Sequence, residues 1–340
     1  APPVRPWHAL FGPRYGDANV SFLVSRGNAQ MGMLDGKVAI VTGAGNGVGR
    51  GEAIMLADHG AQVVVNDLGG SVSGEGSDKR AADEVVEVIT KRGGEAVANY
   101  DSVADFEGAK SIIGSAIDAF GRLDVLVNNA GILRDKMMFS MSPEDFDSVV
   151  KVHLYGAFNT MHHASAYWRN ESKEGRQPRA AIINTVSSAG LQGQASQINY
   201  GAAKAGVAAM TIIASLELSR YGVRANCIGP GGATRMVAQA MKIEVKNPED
   251  YTDFEAMNPG NSAPAVVWLA SDQALHVTGQ VFRLVGNNLA LYRPWEMGEQ
   301  FLATDKEGKP KQWDPADIGR IVNRYVFQSE NPGIDAQRRA

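Results

Sequence analysis

Ser187, Tyr200 and Lys204 are the side chains whose types and spacing most readily do chemistry. Tyr200 and Lys204 stand four positions apart, so on one helix they share a face and bring the ammonium near the phenol. A nearby positive charge favours phenolate and would draw a pKa of about 10 down toward the range of a general base. The same phenol could protonate a carbonyl oxygen when the reaction runs the other way. Ser187 follows a β-branched run and could hydrogen-bond the reacting oxygen, adding orientation to charge stabilisation. A Tyr-Lys pair at this spacing is common by chance. The upstream serine and the Ala/Gly-rich stretch after Tyr200 make it specific.

Such a set needs a scaffold that brings the end of a strand to the start of a helix. From Lys37 onward, short β-branched runs alternate with helical stretches, which is the pattern of a parallel sheet covered on both faces. The predicted strands are Lys37 to Thr42, Gln62 to Asn66, Ala96 to Tyr100, Leu123 to Val127, Ala180 to Thr185, Val223 to Ile228 and Val281 to Val285. Several are apolar throughout, as strands buried on both faces should be. The expected fold is α/β: a Rossmann-like, doubly wound, seven-stranded parallel sheet. Ser142-Pro143-Glu144-Asp145 is a helix-start signal, and that helix should run toward His162. Lys242 to Asn261 lacks a clear period and reads as a mobile connection, placed as a substrate lid. Residues 1–32 are expected to form a leader or arm, 33–292 the Rossmann-type domain, and 293–340 an extension carrying Trp295, Trp313 and an amphipathic stretch from Pro315 to Phe327.

The first strand runs into Thr42-Gly43-Ala44-Gly45-Asn46-Gly47-Val48-Gly49-Arg50 and then a helical stretch. Glycines there let backbone N–H groups and a helix N-terminus approach a pyrophosphate, so Gly43, Asn46, Gly47, Val48 and Gly49 are candidate dinucleotide contacts. Asp67 ends the second strand about 20 residues further on, where the fold presents an acid to the adenosine ribose. A carboxylate there repels the extra phosphate of NADP, and no Arg adjoins it in sequence, so the expected cofactor is NAD. An ordinary turn Asp before Leu68-Gly69-Gly70 is the bland alternative. Asp101 and Ser102 follow the third strand, and Asn129, Ala130 and Gly131 follow the fourth. All lie at carboxyl ends of strands, where open α/β sheets bind ligands.

The formal charge is −4 and no basic patch is concentrated anywhere, which sets nucleic-acid binding aside. Cys227 is the lone cysteine and no Cys/His cluster has zinc spacing, so a reducing compartment and no structural metal are expected. No run approaches ~18 apolar residues, and no membrane association is expected. Residues 1–30 lack the apolar centre of a secretory signal and precede Met31 and Met33; they read as vector-derived or translated upstream sequence, with an arm on a neighbouring subunit as the alternative. Arg338-Arg339-Ala340 is not the peroxisomal Ser-Lys-Leu signal, and the cytoplasm is the default compartment, with organelle targeting left open.

Taken together, the Thr-Gly-x3-Gly-x-Gly turn, Asn-Asn-Ala-Gly at 128–131, Ser187, the Tyr-x3-Lys at 200–204 and Pro230-Gly231 resemble the short-chain dehydrogenase/reductase superfamily over roughly residues 34–290. The resemblance implies that Ser187 positions the substrate oxygen, Tyr200 is the acid/base and Lys204 also binds the nicotinamide ribose. It implies that Pro230, Gly231 and Thr234 flank the nicotinamide. Most members carry Asn where this chain has His153, within Val152-His153-Leu154. Imidazole can also hydrogen-bond, so His153 is read as a member of a proton relay to Lys204. A lone helix histidine with a satisfied hydrogen bond is the alternative.

Val64 to Gly70, Ala96 to Val103 and Asn128 to Asp135 further resemble the dehydrogenase part of peroxisomal multifunctional enzymes of type 2, also called 17β-hydroxysteroid dehydrogenase type 4. That part oxidises (3R)-hydroxyacyl-CoA with NAD. The likeness is strong through about Met236 and fades beyond it. Gly279-Gln280-Val281-Phe282 and Trp313-Asp314-Pro315 look more like bacterial relatives acting on steroid-side-chain acyl-CoA thioesters. The chain is too short for the further hydratase and sterol-carrier parts. The resemblance implies NAD-dependent oxidation of a 3-hydroxyacyl-CoA, with a 17β-hydroxysteroid or other free-alcohol dehydrogenase as one alternative and a catalytically silent NAD-binding scaffold as another. Arg134, Lys136 and Arg235 are candidates for the CoA phosphates, with surface solvation as the plainer reading. The family's habit also implies a homodimer or homotetramer packed through the Tyr200 helix and its predecessor, where Gly201 to Ala209 would permit close approach.

Overall fold

Apolar runs without alternation become strands buried on both faces. The computed structural model describes residues 32–234, 246–293 and 300–321. Its strands are β1 (Val38–Thr42), β2 (Gln62–Asn66), β3 (Ala96–Asn99), β4 (Val125–Asn128), β5 (Ala180–Thr185), β6 (Val223–Gly231), β7 (Val281–Val285) and β8 (Asn288–Tyr292). Every residue of β1, β4 and β5 is buried. All eight join one sheet in the order β3-β2-β1-β4-β5-β6-β7-β8, and each neighbouring pair is parallel until the last. After β3 the chain returns across the sheet to lay β4 beside β1, which opens a crevice at the carboxyl ends where the strand order reverses.

The helices are α1 (Gly47–Asp58), α2 (Arg80–Lys91), α3 (Phe106–Phe120), α4 (Pro143–Val150), α5 (Gly156–Lys173), the short α6 (Ser188–Leu191), α7 (Ile198–Leu218), α8 (Ala263–Ala270) and α9 (Pro315–Ile321). Alternate strand residues serve opposite layers. Ala39 and Val41 pack with Leu56, Ile89 and Leu269 of α1, α2 and α8. Val38 and Ile40 pack with Ile112, Met161, Trp168 and Ala214 of α3, α5 and α7.

The mostly parallel, doubly wound sheet is the expected one, with an eighth strand added. β8 runs antiparallel to β7 across the two-residue turn Gly286-Asn287, in which Gly286 takes φ +56°. Ser142 caps α4 as expected: its Oγ accepts from the Asp145 backbone N–H at 3.2 Å, and the Asp145 carboxylate returns a bond to the Ser142 N–H at 3.3 Å. That helix does not continue as one α-helix toward His162. Lys151–Tyr155 form a single π turn, and α5 resumes at Gly156. Such turns re-aim a side chain and are frequent at functional sites; here the turn carries the buried His153.

Two further expectations meet the described residues as follows. Ile198–Tyr221, comprising α7 and its last 3-10 turn, is long and apolar enough to cross a membrane by length and composition alone. It packs instead on β5 and β6 and its first turns carry Tyr200 and Lys204. In the segment placed as a lid, residues 242–245 lie outside the described residues, as does Arg235. The described remainder packs on α1, where Glu249 accepts from Arg50 Nη2 at 2.6 Å and Pro248 meets Gly51. Residues 1–31, Trp295 and 322–340 also lie outside the described residues. Of the tail, Thr304 bridges Pro310, followed by α9.

Candidate active site

A cavity of about 570 Å³ opens at the carboxyl ends of the central strands. Ser187, Tyr200, Lys204 and His153 all line it, together with Gly43, Asn46, Gly47, Val48, Asp67, Asp101, Ser102, Asn129, Ala130, Gly131, Pro230, Gly231 and Thr234. Gly49 does not reach the cavity wall. A Cβ there would lie 2.4 Å from the Gly43 carbonyl oxygen and from Asn129 Nδ2, so its glycine serves the packing behind the turn.

At one end, the β1–α1 turn and the loop after β4 are laced together. Thr42 Oγ1 accepts from the backbone N–H groups of Asn129 and Ala130 at 3.1 and 3.2 Å, and Asn129 Nδ2 donates to the carbonyls of Thr42 and Gly43 at 3.1 and 3.0 Å. Gly43 sits at φ +64°, and a Cβ on it would lie 2.7 Å from Ala130 Cα. The turn thus presents bare backbone and the N-terminus of α1 to the cavity, the arrangement that receives a phosphate. Asp67 is buried beside it: one carboxylate oxygen accepts from Gly45 N–H at 2.8 Å, the other from Gly69 N–H at 2.7 Å. Each oxygen keeps a lone pair for a hydroxyl. Among the described residues lining the cavity, the only cation is Lys204. These features fit a nicotinamide dinucleotide.

At the other end, Ser187 ends the turn after β5 and caps α6, its Oγ accepting from Ala189 N–H at 3.2 Å. Tyr200 and Lys204 project from the first turns of α7. Lys204 Nζ donates to the Thr185 carbonyl at 2.7 Å and lies 5.7 Å from the Tyr200 ring centroid. Burial pushes the Lys204 ammonium down to about 8. The Tyr200 phenol is raised above its ordinary value: burial raises it most, the Ser187 hydrogen bond opposes this, and the Asp135 charge adds to it. The depression expected from Lys204 is not seen: the one influence that lowers the phenol is the Ser187 hydrogen bond, and burial outweighs it.

The imidazole of His153 is almost wholly buried, and its Nε2 meets the backbone of Ile132, 3.0 Å from N and 2.8 Å from O. Burial and the Lys204 charge hold its pKa well below the usual value, so the ring is neutral. Its Nδ1 and the Thr185 hydroxyl find no protein partner, and both residues border a small cavity of about 10 Å³ shared with Lys204, room for about one water. No direct hydrogen bond joins His153 to Lys204. A Cβ on Gly131 would lie 2.2 Å from His153 Cε1, so a glycine is needed to admit the ring.

Sequence reasoning missed several wall residues. Gln194 and Gln197 line the cavity just before α7, and Gln197 Nε2 donates to the Asp135 carboxylate at 2.6 Å. Between them Ser196 takes φ +68°, a strained backbone often found near sites. Ser71, Val72 and Gly74, from the loop after β2, also line the wall. The candidate CoA anchors are engaged elsewhere: Arg134 Nε donates to the Ser73 carbonyl at 3.0 Å, and Lys136 Nζ pairs with Asp145 at 2.6 Å.

Residues 37–244 match the short chain dehydrogenase family. The chain belongs to that family. The dehydrogenase is 39% identical over 302 residues to the hydroxyacyl-CoA dehydrogenase ChsB1 of Mycobacterium tuberculosis, covering 88% of this chain and 91% of that one. It is 42% identical over 239 residues to the mouse peroxisomal multifunctional enzyme type 2, covering 70% of this chain but only 30% of that much longer protein. A solved short chain dehydrogenase from Mycobacterium avium is 46% identical, with a TM-score of 0.77 and coverage of 88% of this chain and 98% of that one. This dehydrogenase is thus an oxidoreductase of small molecules, with a relative named a hydroxyacyl-CoA dehydrogenase.

Proposed function

We propose that the dehydrogenase oxidises a 3-hydroxyacyl-CoA to the 3-oxoacyl-CoA with NAD, taking the (3R) alcohol and accommodating steroid-side-chain as well as fatty acyl groups. The observation that carries the reading is one cavity with Asp67 at the phosphate-turn end and Ser187, Tyr200 and Lys204 at the other. The bound nicotinamide supplies the hydride acceptor. Ser187 donates a hydrogen bond that fixes the substrate oxygen, and Tyr200, entering the step as phenolate, takes the hydroxyl proton and becomes phenol as the carbon gives up its hydride. Lys204 steadies the phenolate electrostatically and holds the cofactor ribose. His153, kept neutral, supports Lys204 through the small cavity they share. Thioester specificity is supported by the name of the M. tuberculosis relative, which spans nearly the whole chain. Exposed Tyr155 at the end of the π turn, Phe158 on α5, and Ile213 and Leu216 on α7 support pairing with a second copy through that face.

The test is NADH formation with a panel of (3R)- and (3S)-hydroxyacyl-CoA, steroid-side-chain thioesters and free 17β-hydroxysteroids, each with NAD and NADP. Turnover confined to (3R) thioesters with NAD supports the reading; turnover of free steroids alone overturns it.

A further inference from the structure

The loop between β2 and α2 is a closed unit on the cavity wall. Its mouth is pinned where Asp78 N–H donates to the Leu68 carbonyl at 3.2 Å, and its tip is folded by Ser71, whose N–H donates to the Glu75 carbonyl at 2.8 Å and whose Oγ accepts from Glu75 N–H at 3.0 Å. The tip crosses to the segment after β4. Leu133 N–H donates to the Val72 carbonyl at 3.0 Å, Arg134 Nε donates to the Ser73 carbonyl at 3.0 Å, and Gly74 lies so close to Ile132 that a Cβ would come within 2.9 Å. Arg134 also faces Glu75 and Asp145 at 3.9 Å.

Arg134 reaches the other end of the site through its own backbone. Its carbonyl accepts from Asn199 Nδ2 at 3.0 Å, and Asn199 Oδ1 accepts from the backbone N–H of Tyr200 at 2.8 Å. The loop starts at Asp67, whose carboxylate holds Gly69 N–H. One residue therefore ties the wall beside the ribose-binding carboxylate to the first turn of the catalytic helix.

Resting on the dinucleotide reading of this cavity, we propose that Arg134 is a positioning residue that latches the Leu68–Asp78 loop over the bound cofactor, so that release requires the Arg134–Ser73 and Leu133–Val72 bonds to open. The guanidinium is thereby spent on cofactor retention and leaves the CoA phosphates to other groups.

The experiment is stopped-flow displacement of NADH from the native protein and from Arg134→Met and Glu75→Gln variants, with hydrogen exchange of residues 68–78 measured alongside. Loss of the Arg134 latch, a hydrogen bond from a charged donor, should speed NADH release about tenfold, which is about 1.4 kcal/mol. The association rate should change less than about threefold, because a latch acts after entry. Glu75→Gln alters an exposed partner and should speed release about twofold. Exchange across 68–78 should quicken in the Arg134 variant. Unchanged release together with unchanged exchange overturns the latch. Failure of the native protein to bind NADH overturns the cofactor reading instead, and the exchange measurement then reports on the loop by itself.

Discussion

The His153 imidazole stands edge-on to the Tyr200 ring, with centroids 5.0 Å apart and planes at 85°. The π turn at Lys151–Tyr155 aims it there, and the missing side chain of Gly131 admits it. A neutral, buried imidazole cannot act by switching charge in the ordinary histidine range. His153→Asn should therefore keep the shape of the pH–rate profile between pH 5 and 8, with turnover within about tenfold of native. A profile that loses a limb in that window would assign the limb to His153.

Gly131→Ala forces a Cβ to 2.2 Å from His153 Cε1, so either the ring or the loop must move. Overpacking of this kind costs about 1–3 kcal/mol. Both thermal stability and turnover should fall. Combining the change with His153→Ala should recover much of the stability but not the rate, as calorimetry and initial rates on both proteins would report.

Glu52 is fully buried on α1, and burial pushes its pKa up to about 8 against the opposing Lys204 charge and Ser262 hydroxyl. The folded protein then binds a proton that the unfolded chain releases near pH 4.5, so this group's contribution to stability is full below that pH and is lost as pH rises toward 8. The loss is on the order of 4 kcal/mol. Glu52→Gln should remove this dependence: denaturant unfolding at pH 5 and pH 7.5 should show native stability falling relative to the variant. Lys204, pushed down to about 8, acts with the opposite sign only above that pH, which the chosen window avoids.

Asp67 is the acid nearest the phosphate turn, and among the described residues its cavity wall offers no cation besides Lys204. Asp67→Ala should weaken NAD binding about tenfold or more while NADP binding holds or improves, since a repelling carboxylate is gone. Because Asp67 also holds Gly45 and Gly69, loosening alone would weaken both cofactors equally. The ratio of dissociation constants separates the two.

Much of this was legible in the sequence because period and punctuation are local. The runs that became β1, β4 and β5 are apolar until their polar carboxyl ends because both faces are covered, and the capping box at Ser142 states its own geometry. β8 was legible but missed: Gly286-Asn287 between two apolar runs is a two-residue hairpin signal. The π turn at His153 was not legible, since one extra residue per turn leaves no mark on composition. Nor could sequence give the partners of Arg134 and Lys136, whose acceptors Ser73 and Asp145 come from other segments. The direction of the Tyr200 shift failed for a related reason: spacing shows the neighbouring charge but not the depth of burial.

Tyr200 carries the chemistry in this reading, and replacing it with Phe removes one hydroxyl from a wall otherwise intact. The decisive measurement is NAD binding and NADH formation by Tyr200→Phe with (3R)-hydroxyacyl-CoA. NAD should bind within about threefold of native while turnover falls by about a thousandfold, the scale of a lost general base. Turnover near the native rate with NAD still bound would contradict the assignment.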